Sequence, residues 1–310
     1  MKLGLYRLAG LRILSDLPLF GIQTCPDETV QDNEVRIRRS IISDDLASTT
    51  ARFRDGQHIR GCNGKEVLLE FPRVGRFLVR GGNEILVDLL PACDDGEVRA
   101  YLLGTAFGVL CHQRGITPLH ASAIDFGGGG VAFVGASGAG KSTLIAALAR
   151  RGHKVIADDV CFLQFDGEGN IQAQPGVERI RLWEEAMYAL GYDRCGVERE
   201  MHGYNKYFIP IPPARGPVGR RHLHRVYELQ ASVDGAIALD RLQGARAIEV
   251  LMQNVYRLGL AERLGYKPHA FTVCASVARN VPIFRLNRPK HFNALEDTIQ
   301  ALEDHLHEMR

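Results

Sequence analysis

The chain of 310 residues is long enough for two domains of ordinary size, and its 45% apolar and 24% charged residues exclude a disordered protein. Its 38 basic and 36 acidic residues leave a net charge of +2, so the overall charge predicts neither a nucleic-acid partner nor a membrane partner. The longest nearly unbroken apolar stretch, residues 101–111, is well short of the roughly 18 residues that a membrane-spanning helix needs.

The cysteines and the amino terminus bear on the cellular compartment. Seven cysteines, an odd number without a C-x-x-C pair, argue against both a disulfide framework and a zinc site. Arg7 and Arg12 interrupt the first apolar stretch, and no small-residue cleavage site follows, which argues against a secretory signal. We therefore expect a protein of the reducing cytoplasm. Its oligomeric state stays open, and a homo-oligomer is compatible with the sequence.

Residues 1 to about 90 contain short apolar runs broken by turn pairs such as Asp55-Gly56 and Asn63-Gly64, a pattern typical of β-hairpins. Three of these runs are predicted to be strands, namely 67–69, 76–79 and 84–87. Over residues 94–114 apolar residues recur at three- and four-residue steps, which predicts a helix that ends at Gly115. We expect a β-rich amino-terminal domain, residues 1–115, that ends with this helix.

The second part of the chain, residues 116–310, begins with an α/β pattern. Two strands, 119–124 and 131–134, are predicted on either side of a turn of four glycines. A helix over 143–151 and a strand over 154–157 follow. Because a strand, a helix and a strand come in this order, we expect the strands before and after the helix to form a parallel pair.

The rest of the chain has weaker signals. Residues 201–225 contain so many prolines and glycines that a surface loop is expected there. Residues 293–309 have the pattern of an amphipathic closing helix. Trp183, the only tryptophan, is predicted to pack in the core.

One segment matches the phosphate-binding motif G-x-x-x-x-G-K-[ST] in full: Gly135, Ala136, Ser137, Gly138, Ala139, Gly140, Lys141 and Ser142. It follows an apolar strand and opens a helix, where backbone N–H groups and the helix dipole can hold phosphates. Lys141 would contact the β- and γ-phosphates, and the Ser142 hydroxyl would bind Mg²⁺. The alternative is a glycine-rich turn that only connects strand to helix.

Asp158 and Asp159 follow the next predicted strand. If that strand lies beside the P-loop strand, both carboxylates emerge at the edge where the phosphates lie. One carboxylate could then hold the metal, and the other could accept a proton from an attacking hydroxyl. The alternative is an aspartate pair that caps a turn.

A cluster of cations and a histidine complete the candidate residues. Five cations and no acid lie between Met201 and Tyr227. This segment could close over a triphosphate or bind a carboxylate-bearing peptide. The alternative is a solvated basic loop. His120 could reach the P-loop or be a hydrogen-bonded core residue. His222 and His224 lack a neighbouring Cys or carboxylate and are rejected as metal ligands. The five cations are Lys206, Arg215, Arg220, Arg221 and Arg225.

The chain resembles the catalytic domain of HPr kinase/phosphorylase in the order of four segments: Leu119-His120-Ala121, residues 135–142, Arg151-Gly152-His153 and Ala157-Asp158-Asp159-Val160. Those enzymes are compact P-loop kinases that phosphorylate a protein serine and resemble phosphoenolpyruvate carboxykinase in fold. The resemblance implies a compact α/β P-loop kinase domain over 116–310, with Asp158 as the general base. It also implies that Asp159 lies near the metal and that His120 belongs to the active-site wall.

Further segments point to one branch of these kinases. Arg179-Ile180-Arg181-Leu182-Trp183, together with residues 6–11 and 15–19, is similar to HPr-kinase homologues encoded with lasso peptide biosynthesis. Thr143 also stands where classical HPr kinases have glutamate. Members of that branch phosphorylate the carboxy-terminal serine of a precursor peptide.

We therefore predict a kinase that transfers a phosphoryl group from ATP, or another nucleoside triphosphate, to a serine hydroxyl in a peptide. Lys141, Asp158 and His120 form the predicted catalytic set. Residues 135–142, Thr143 and Lys206 are predicted to bind the nucleotide, and Ser142 with Asp159 the metal. The alternatives are a small-alcohol kinase, an HPr-type protein kinase and a nucleotide-dependent switch module without catalysis.

Overall fold

A computed structural model describes residues 3–25, 34–43, 50–52, 58–61, 65–195, 197–199, 205–211 and 219–308. Within these residues the protein is a mixed α/β structure whose amino-terminal part is rich in β-strands. No described helix combines the length and the apolar character that crossing a bilayer requires.

The strands are β1 Gly4–Leu8, β2 Leu11–Ser15, β3 Gln23–Thr24, β4 Glu34–Arg39, β5 Thr50–Arg52, β6 His58–Gly61, β7 Glu66–Phe71, β8 Gly75–Arg80, β9 Glu84–Leu89, β10 Thr117–Leu119, β11 Ser122–Phe126, β12 Gly129–Val134, β13 Lys154–Ala157, β14 Cys161–Phe165, β15 Ile171–Gln174, β16 Arg179–Trp183, β17 Glu198–Arg199, β18 Lys206–Pro210, β19 Arg221–Ala231, β20 Ala238–Leu242 and β21 Ile283–Arg288. The α-helices are α1 Asp95–Ala100, α2 Phe107–Gln113, α3 Lys141–Arg151, α4 Glu184–Ala189, α5 Gly244–Gln253, α6 Leu258–Arg263, α7 Lys267–Asn280 and α8 Leu295–Glu308. A π-helical segment, Tyr101–Ala106, joins α1 to α2, and a 3-10 turn, Phe292–Ala294, precedes α8.

The amino-terminal sheet contains nine of the described strands, in the order β3-β1-β2-β4-β9-β8-β7-β6-β5. The three strands predicted here are confirmed as β7, β8 and β9, which pair antiparallel in sequence order. The predicted helix is also confirmed, with the π-helical segment in its middle as an unpredicted feature. Asp94 caps its start by accepting the N–H of Glu97 at 2.9 Å, and Gly115 follows its end with a φ of +69°.

The second sheet runs β10-β14-β15-β19-β12-β11-β13, with β21 beside β19 and β20 beside β21. The predicted hairpin of β11 and β12 is confirmed, as are α3 and β13. The prediction that β12 and β13 form an adjacent pair is wrong, because β11 lies between them and pairs antiparallel with both. The hairpin places β11 beside β12, and β13 pairs with the other edge of β11. β12 and β13 therefore still point in the same direction.

The prediction of a surface loop over 201–225 is wrong in part. Lys206–Pro210 forms β18, and the eleven-residue β19 begins at Arg221 and pairs parallel with β12 and β21. Leu223, Val226 and Tyr227 of β19 are buried, so this strand belongs to the core of the sheet. The prolines and glycine of residues 212–217 that suggested a loop lie outside the described residues.

One hydrophobic core connects the amino-terminal sheet to the second sheet. Its members come mainly from residues 8–116, and they include Phe162 of β14 and Leu260 of α6. Phe107 of α2 packs edge-on against Phe162, with ring centroids 5.7 Å apart. The predicted closing helix is confirmed as α8, which packs against α3. The division into domains at residue 115 stays a prediction.

Candidate active site at the carboxyl edge of the second sheet

The P-loop lies where β12 ends and α3 begins, as its motif predicts. Gly138 and Gly140 have left-handed backbones, with φ of +79° and +87°, and Gly135 has a φ of +142°. A Cβ atom at Gly135 would lie 2.8 Å from the carbonyl oxygen of Leu229, so glycine is required for this close approach. The Gly135 N–H donates to Asn254 Oδ1 at 2.9 Å, which attaches the loop to the end of α5.

Lys141 folds back over its own loop. Its Nζ donates to the carbonyl oxygens of Gly135 at 2.7 Å and Ala136 at 3.3 Å. Burial lowers the pKa of Lys141, while the nearby carboxylates of Asp159 and Asp158 act in the opposite direction. The ammonium group is thus held at the P-loop in a desolvated position, where an anionic phosphate would be a strong partner.

Asp158 is a buried carboxylate with three protein donors. Its Oδ1 accepts the hydroxyls of Ser122 at 2.6 Å and Ser142 at 2.9 Å, and its Oδ2 accepts the N–H of Arg181 at 2.8 Å. Its side chain is only 4% exposed, and this burial raises the pKa of Asp158. Neither Ser122 nor Arg181 was predicted as a partner of Asp158, because both contacts join segments that are distant in the chain.

Asp159 adopts a left-handed backbone, with a φ of +69°. Its Oδ2 pairs with the Arg181 guanidinium at 2.5 Å. Its carbonyl oxygen contacts His120 Nδ1 at 3.0 Å. Because a carbonyl oxygen can only accept, this contact places the ring proton on Nδ1. A non-glycine residue in this conformation is uncommon and strained, and such strain concentrates at functional sites.

His120 lies between β10 and β11 rather than inside a strand. Burial lowers the pKa of His120, and the nearby charge of Lys141 lowers it further. The ring is therefore neutral at pH 7, with Nε2 as an acceptor. The structure thus brings together Lys141, Asp158, Asp159 and His120.

Arg288 supports the P-loop from the end of β21 and was missed by the sequence analysis. Its guanidinium is buried and donates to the Ala139 carbonyl at 2.7 Å and the Pro289 carbonyl at 3.0 Å. A Cβ on Gly140 would lie 2.2 Å from the Arg288 guanidinium. No local sequence pattern marks this role, because it depends on β21 running parallel to β19 and β12, which brings their carboxyl ends to one edge.

Two cavities adjoin each other at Asp159, which lines both, whereas Asp158 lines only the second. The P-loop cavity, about 210 Å³, is lined by His120, residues 137–143, Asp159, Arg181, Trp183, Glu185, Ala186, Lys206, Arg288, Lys290, His291, Phe292 and Leu295. Thr143 and Lys206, both predicted to bind nucleotide, are among these residues. Lys290, His291 and Phe292 were not predicted, because they lie in the irregular segment after β21.

The second cavity, named here the interface cavity, has a volume of about 450 Å³ and adjoins the first. It is lined by Leu8, Gly96, Arg99, Ala100, Tyr101, Leu103, Gly104, Ser137, Asp158, Asp159, Val160, Phe162, Val177, Arg179, Arg181, Trp183, Lys206, Phe208, Tyr256 and Arg257. Residues of the amino-terminal part therefore form one wall of a space that opens onto both aspartates.

Trp183 was predicted to be a core residue, and this prediction is wrong. Its side chain is 50% exposed and lines both cavities, and Lys206 Nζ lies 4.6 Å from its ring centroid. Burial alternates along β16, with Ile180 and Leu182 buried, so Trp183 falls on the less buried face of the strand.

Of the other predicted cations, those within the described residues do not reach the site. Arg221 and Arg225 lie in the first half of β19, at the opposite edge of the sheet from the P-loop, because β19 runs parallel to β12. Arg221 pairs with Asp125 at 2.8 Å. Arg220 precedes that strand, and neither cavity includes any of the three. Arg215 lies outside the described residues.

The donor atoms near Ser142 fit a magnesium ion. Ser142 Oγ lies 2.9 Å from Asp158 Oδ1, and the carboxylate of Asp159 lines the same P-loop cavity. Hydroxyl and carboxylate oxygens are the hard ligands that Mg²⁺ prefers, and this ion usually takes only one or two carboxylates and completes its shell with waters and substrate phosphates. Among the described residues no group of three or more His, Cys, Asp or Glu could hold a metal alone.

Comparison with solved structures shows a distant structural likeness. The solved structure of the Hpr(Ser) kinase/phosphatase from Coxiella burnetii is similar to 62% of this chain and 97% of that protein, with 16% sequence identity and a TM-score of 0.35. No protein-family model and no curated protein sequence matches the chain. Similarity at this level does not establish a family, so the function is inferred from the residues of the site.

Proposed function

We propose that the protein is a kinase that transfers the γ-phosphoryl group of ATP, or another nucleoside triphosphate, to a serine hydroxyl in a peptide. The observation that carries this proposal is the position of the aspartate pair: Asp159 lines both cavities, and Asp158 lines the second cavity while it accepts the Ser142 hydroxyl of the P-loop. One cavity is formed by the P-loop, and the other is large enough for part of a second substrate. A protein that only binds nucleotide needs neither the second cavity nor a buried carboxylate facing it.

In the proposed step the serine oxygen forms a bond to the γ-phosphorus, and the bond from that phosphorus to the β–γ bridging oxygen breaks. The hydroxyl proton passes to a carboxylate, and the nucleoside diphosphate leaves with the bridging oxygen. Asp158 suits this role because burial raises its pKa towards the range useful for a base, and because it lines the interface cavity.

The P-loop provides the nucleotide site in this proposal. Its backbone N–H groups and Lys141 would hold the phosphates, and Thr143, Lys206 and the neighbouring aromatic residues line the same cavity. Ser142 and Asp159 would hold Mg²⁺, which when bound neutralises charge on the phosphates. His120 supports Asp159 through the contact of its Nδ1 with the Asp159 carbonyl.

One contact favours the reverse roles for the two aspartates. Ser142, the metal-side hydroxyl, donates to Asp158 and not to Asp159. In that arrangement Asp158 would be the metal ligand and Asp159 the base. The two assignments differ in a measurable way, because the variant that loses the metal ligand should need more Mg²⁺, whereas the variant that loses the base should not.

The acceptor that we propose is the carboxy-terminal serine of a lasso peptide precursor. The support is the resemblance at residues 179–183 and in the amino-terminal segments, and β16, which contains residues 179–183, lines the interface cavity. The competing hypotheses are that the acceptor is a serine of an HPr-type protein, that it is a small alcohol, and that the protein has no acceptor. The wall contributed by α1 and the π-helical segment favours an acceptor larger than a small alcohol.

Mass spectrometry of acceptors incubated with the protein, Mg²⁺ and ATP tests the proposal. The panel contains precursor peptides with a terminal serine, the same peptides with that serine changed to alanine, an HPr protein and small alcohols. We expect a gain of phosphate on the terminal serine only. Lys141→Ala should abolish the gain, and the exposed Lys154→Ala serves as the matched control. ATP binding without any labelled acceptor would support the switch module instead.

A further inference from the structure

The interface cavity has two walls of different origin. One is formed by α1 and the π-helical segment, including Arg99 and Leu103. The other is formed by β16 and by Tyr256 and Arg257, which follow α5. Its lining is apolar in part, with Leu8, Val160 and Val177 among the residues that contribute.

The charges around this cavity are unbalanced in favour of cations. Two carboxylates, Asp158 and Asp159, belong to the lining, and a third acid, Glu198, pairs with both Arg99 and Arg179 from outside it. Five cations oppose these three acids, so the surroundings favour an anionic ligand. The five are Arg99, Arg179, Arg181, Lys206 and Arg257.

Arg257 is the most unusual of the five cations. It has a φ of +55°, and the described non-glycine residues with a positive φ are Ala9, Asp159 and Arg257. Two of these three line the interface cavity, and Ala9 follows Leu8, which also lines it. Strained residues that cluster at one cavity indicate a functional constraint, since strain of this kind persists only where the surroundings hold it.

The segment before Arg257 shows what holds the strain. Asn254 accepts the Gly135 N–H through its side chain and the His120 N–H through its carbonyl, and Tyr256 donates its N–H to Pro118 at 2.8 Å. The Arg257 guanidinium lies 5.5 Å from the Tyr256 ring centroid, and its side chain is exposed. Among the described residues, no acid forms an ion pair with Arg257, whereas Arg99, Arg179 and Arg181 each have one.

We propose that the interface cavity is the acceptor subsite and that Arg257 binds a carboxylate of the acceptor, which makes it a specificity-determining residue. This inference rests on the proposed peptide kinase. An arginine fork matches the two oxygens of a carboxylate, and the apolar lining accommodates the residues beside the serine. The carboxylate comes either from the peptide terminus or from an acidic side chain next to the serine.

Binding measurements on synthetic peptides test this inference without requiring turnover. Three peptides of about ten residues are compared by calorimetry: one ending in serine as a free acid, the same peptide amidated, and an amidated peptide with glutamate beside the serine. For Arg257→Gln we expect a weaker affinity for whichever carboxylate-bearing peptide the wild type prefers. The expected loss is about 10- to 100-fold, as removal of a charge-assisted hydrogen bond predicts. Its affinity for the uncharged amidated peptide should not change. Arg279→Gln, a change at an exposed arginine in α7, is the matched control.

A second variant separates binding from folding. Arg257→Gly removes the guanidinium and relieves the left-handed backbone, so its melting temperature should equal or exceed that of the wild type. It should lose the preference for the free acid as completely as Arg257→Gln does. The inference is overturned if the wild type does not prefer either carboxylate-bearing peptide, or if both Arg257 variants keep that preference. Preference for a carboxylate without phosphorylation would overturn the proposed kinase and leave this subsite standing.

Discussion

Replacement of Asp158 by asparagine should remove catalysis while the fold is kept. The two side chains have the same shape, and the three contacts of Asp158 can all be replaced. The asparagine carbonyl can accept the Arg181 N–H, and its NH₂ group can donate to the hydroxyls of Ser122 and Ser142, which rotate to accept. We therefore expect the free energy of unfolding to change by less than about 1 kcal/mol at acidic pH.

The effect on the rate should be much larger. An amide cannot take a proton from the attacking hydroxyl, and a positioned general base contributes a factor of about 10² to 10⁴. At about 1.36 kcal/mol per tenfold change, the barrier should rise by about 3 to 5 kcal/mol. The value of kcat should fall accordingly, while the affinity for the nucleotide, measured by calorimetry, stays within about threefold.

The pH dependence of stability gives an independent check. Burial raises the pKa of Asp158, so the folded state binds this proton more tightly than the unfolded state does. The stability from this group is therefore present below the unfolded pKa and is lost as the pH rises through the folded pKa. Asparagine does not titrate, so the melting temperature of Asp158→Asn should rise relative to the wild type as the pH increases above the ordinary aspartate pKa of about 4.

Three measurements would refute this reasoning. The first is a kcat that stays near the wild-type value, which would exclude Asp158 as the base. The second is a large loss of stability at acidic pH, which would show that the amide does not replace the three contacts. The third is an increased Mg²⁺ requirement with Asp158→Asn and not with Asp159→Asn, which would support the reverse roles. Asp304→Asn, at an exposed position in α8, is the control.

Three further changes test other parts of the structure. Arg288→Gln removes a charged donor 2.7 Å from the Ala139 carbonyl, so nucleotide affinity should fall about 10- to 150-fold by calorimetry; an unchanged affinity would exclude the support role. The fluorescence of Trp183 should respond to added Mg²⁺ and ATP, and Trp183→Phe should remove the signal; an unresponsive wild type would argue against a nucleotide near the indole. Phe107→Ala should cost about 3 to 5 kcal/mol in urea denaturation, because it removes the ring that packs on Phe162; a cost below about 1 kcal/mol would show that this contact does not stabilise the fold.

The parts of the fold that the sequence predicts are those fixed by neighbouring residues. The hairpin of β11 and β12 depends on its glycine turn, and the P-loop depends on glycines with positive φ. The position of β13 could not be predicted, because any strand that follows α3 could pair with several edges. Only the completed sheet shows that β11 occupies the place beside it.

The same distinction applies to the site. Lys141 and the aspartate pair belong to short local sequence motifs, so they could be identified from the sequence. Arg181 and Arg288 come from strands far along the chain, and an arginine in a strand has no local pattern that separates support of a loop from exposure to solvent. Trp183 was predicted to be buried because large aromatic residues usually are, but it lies on the less buried face of β16 and is exposed.

The strand inserted between β12 and β13 has a consequence for the width of the catalytic region. Two strand spacings, about 10 Å, separate the end of β12 from the end of β13, whereas direct neighbours would be about 5 Å apart. The first residue of β11, Ser122, fills the space between them and holds Asp158. A bulkier residue at position 122 would change the distance between the P-loop and Asp158 without contacting either substrate.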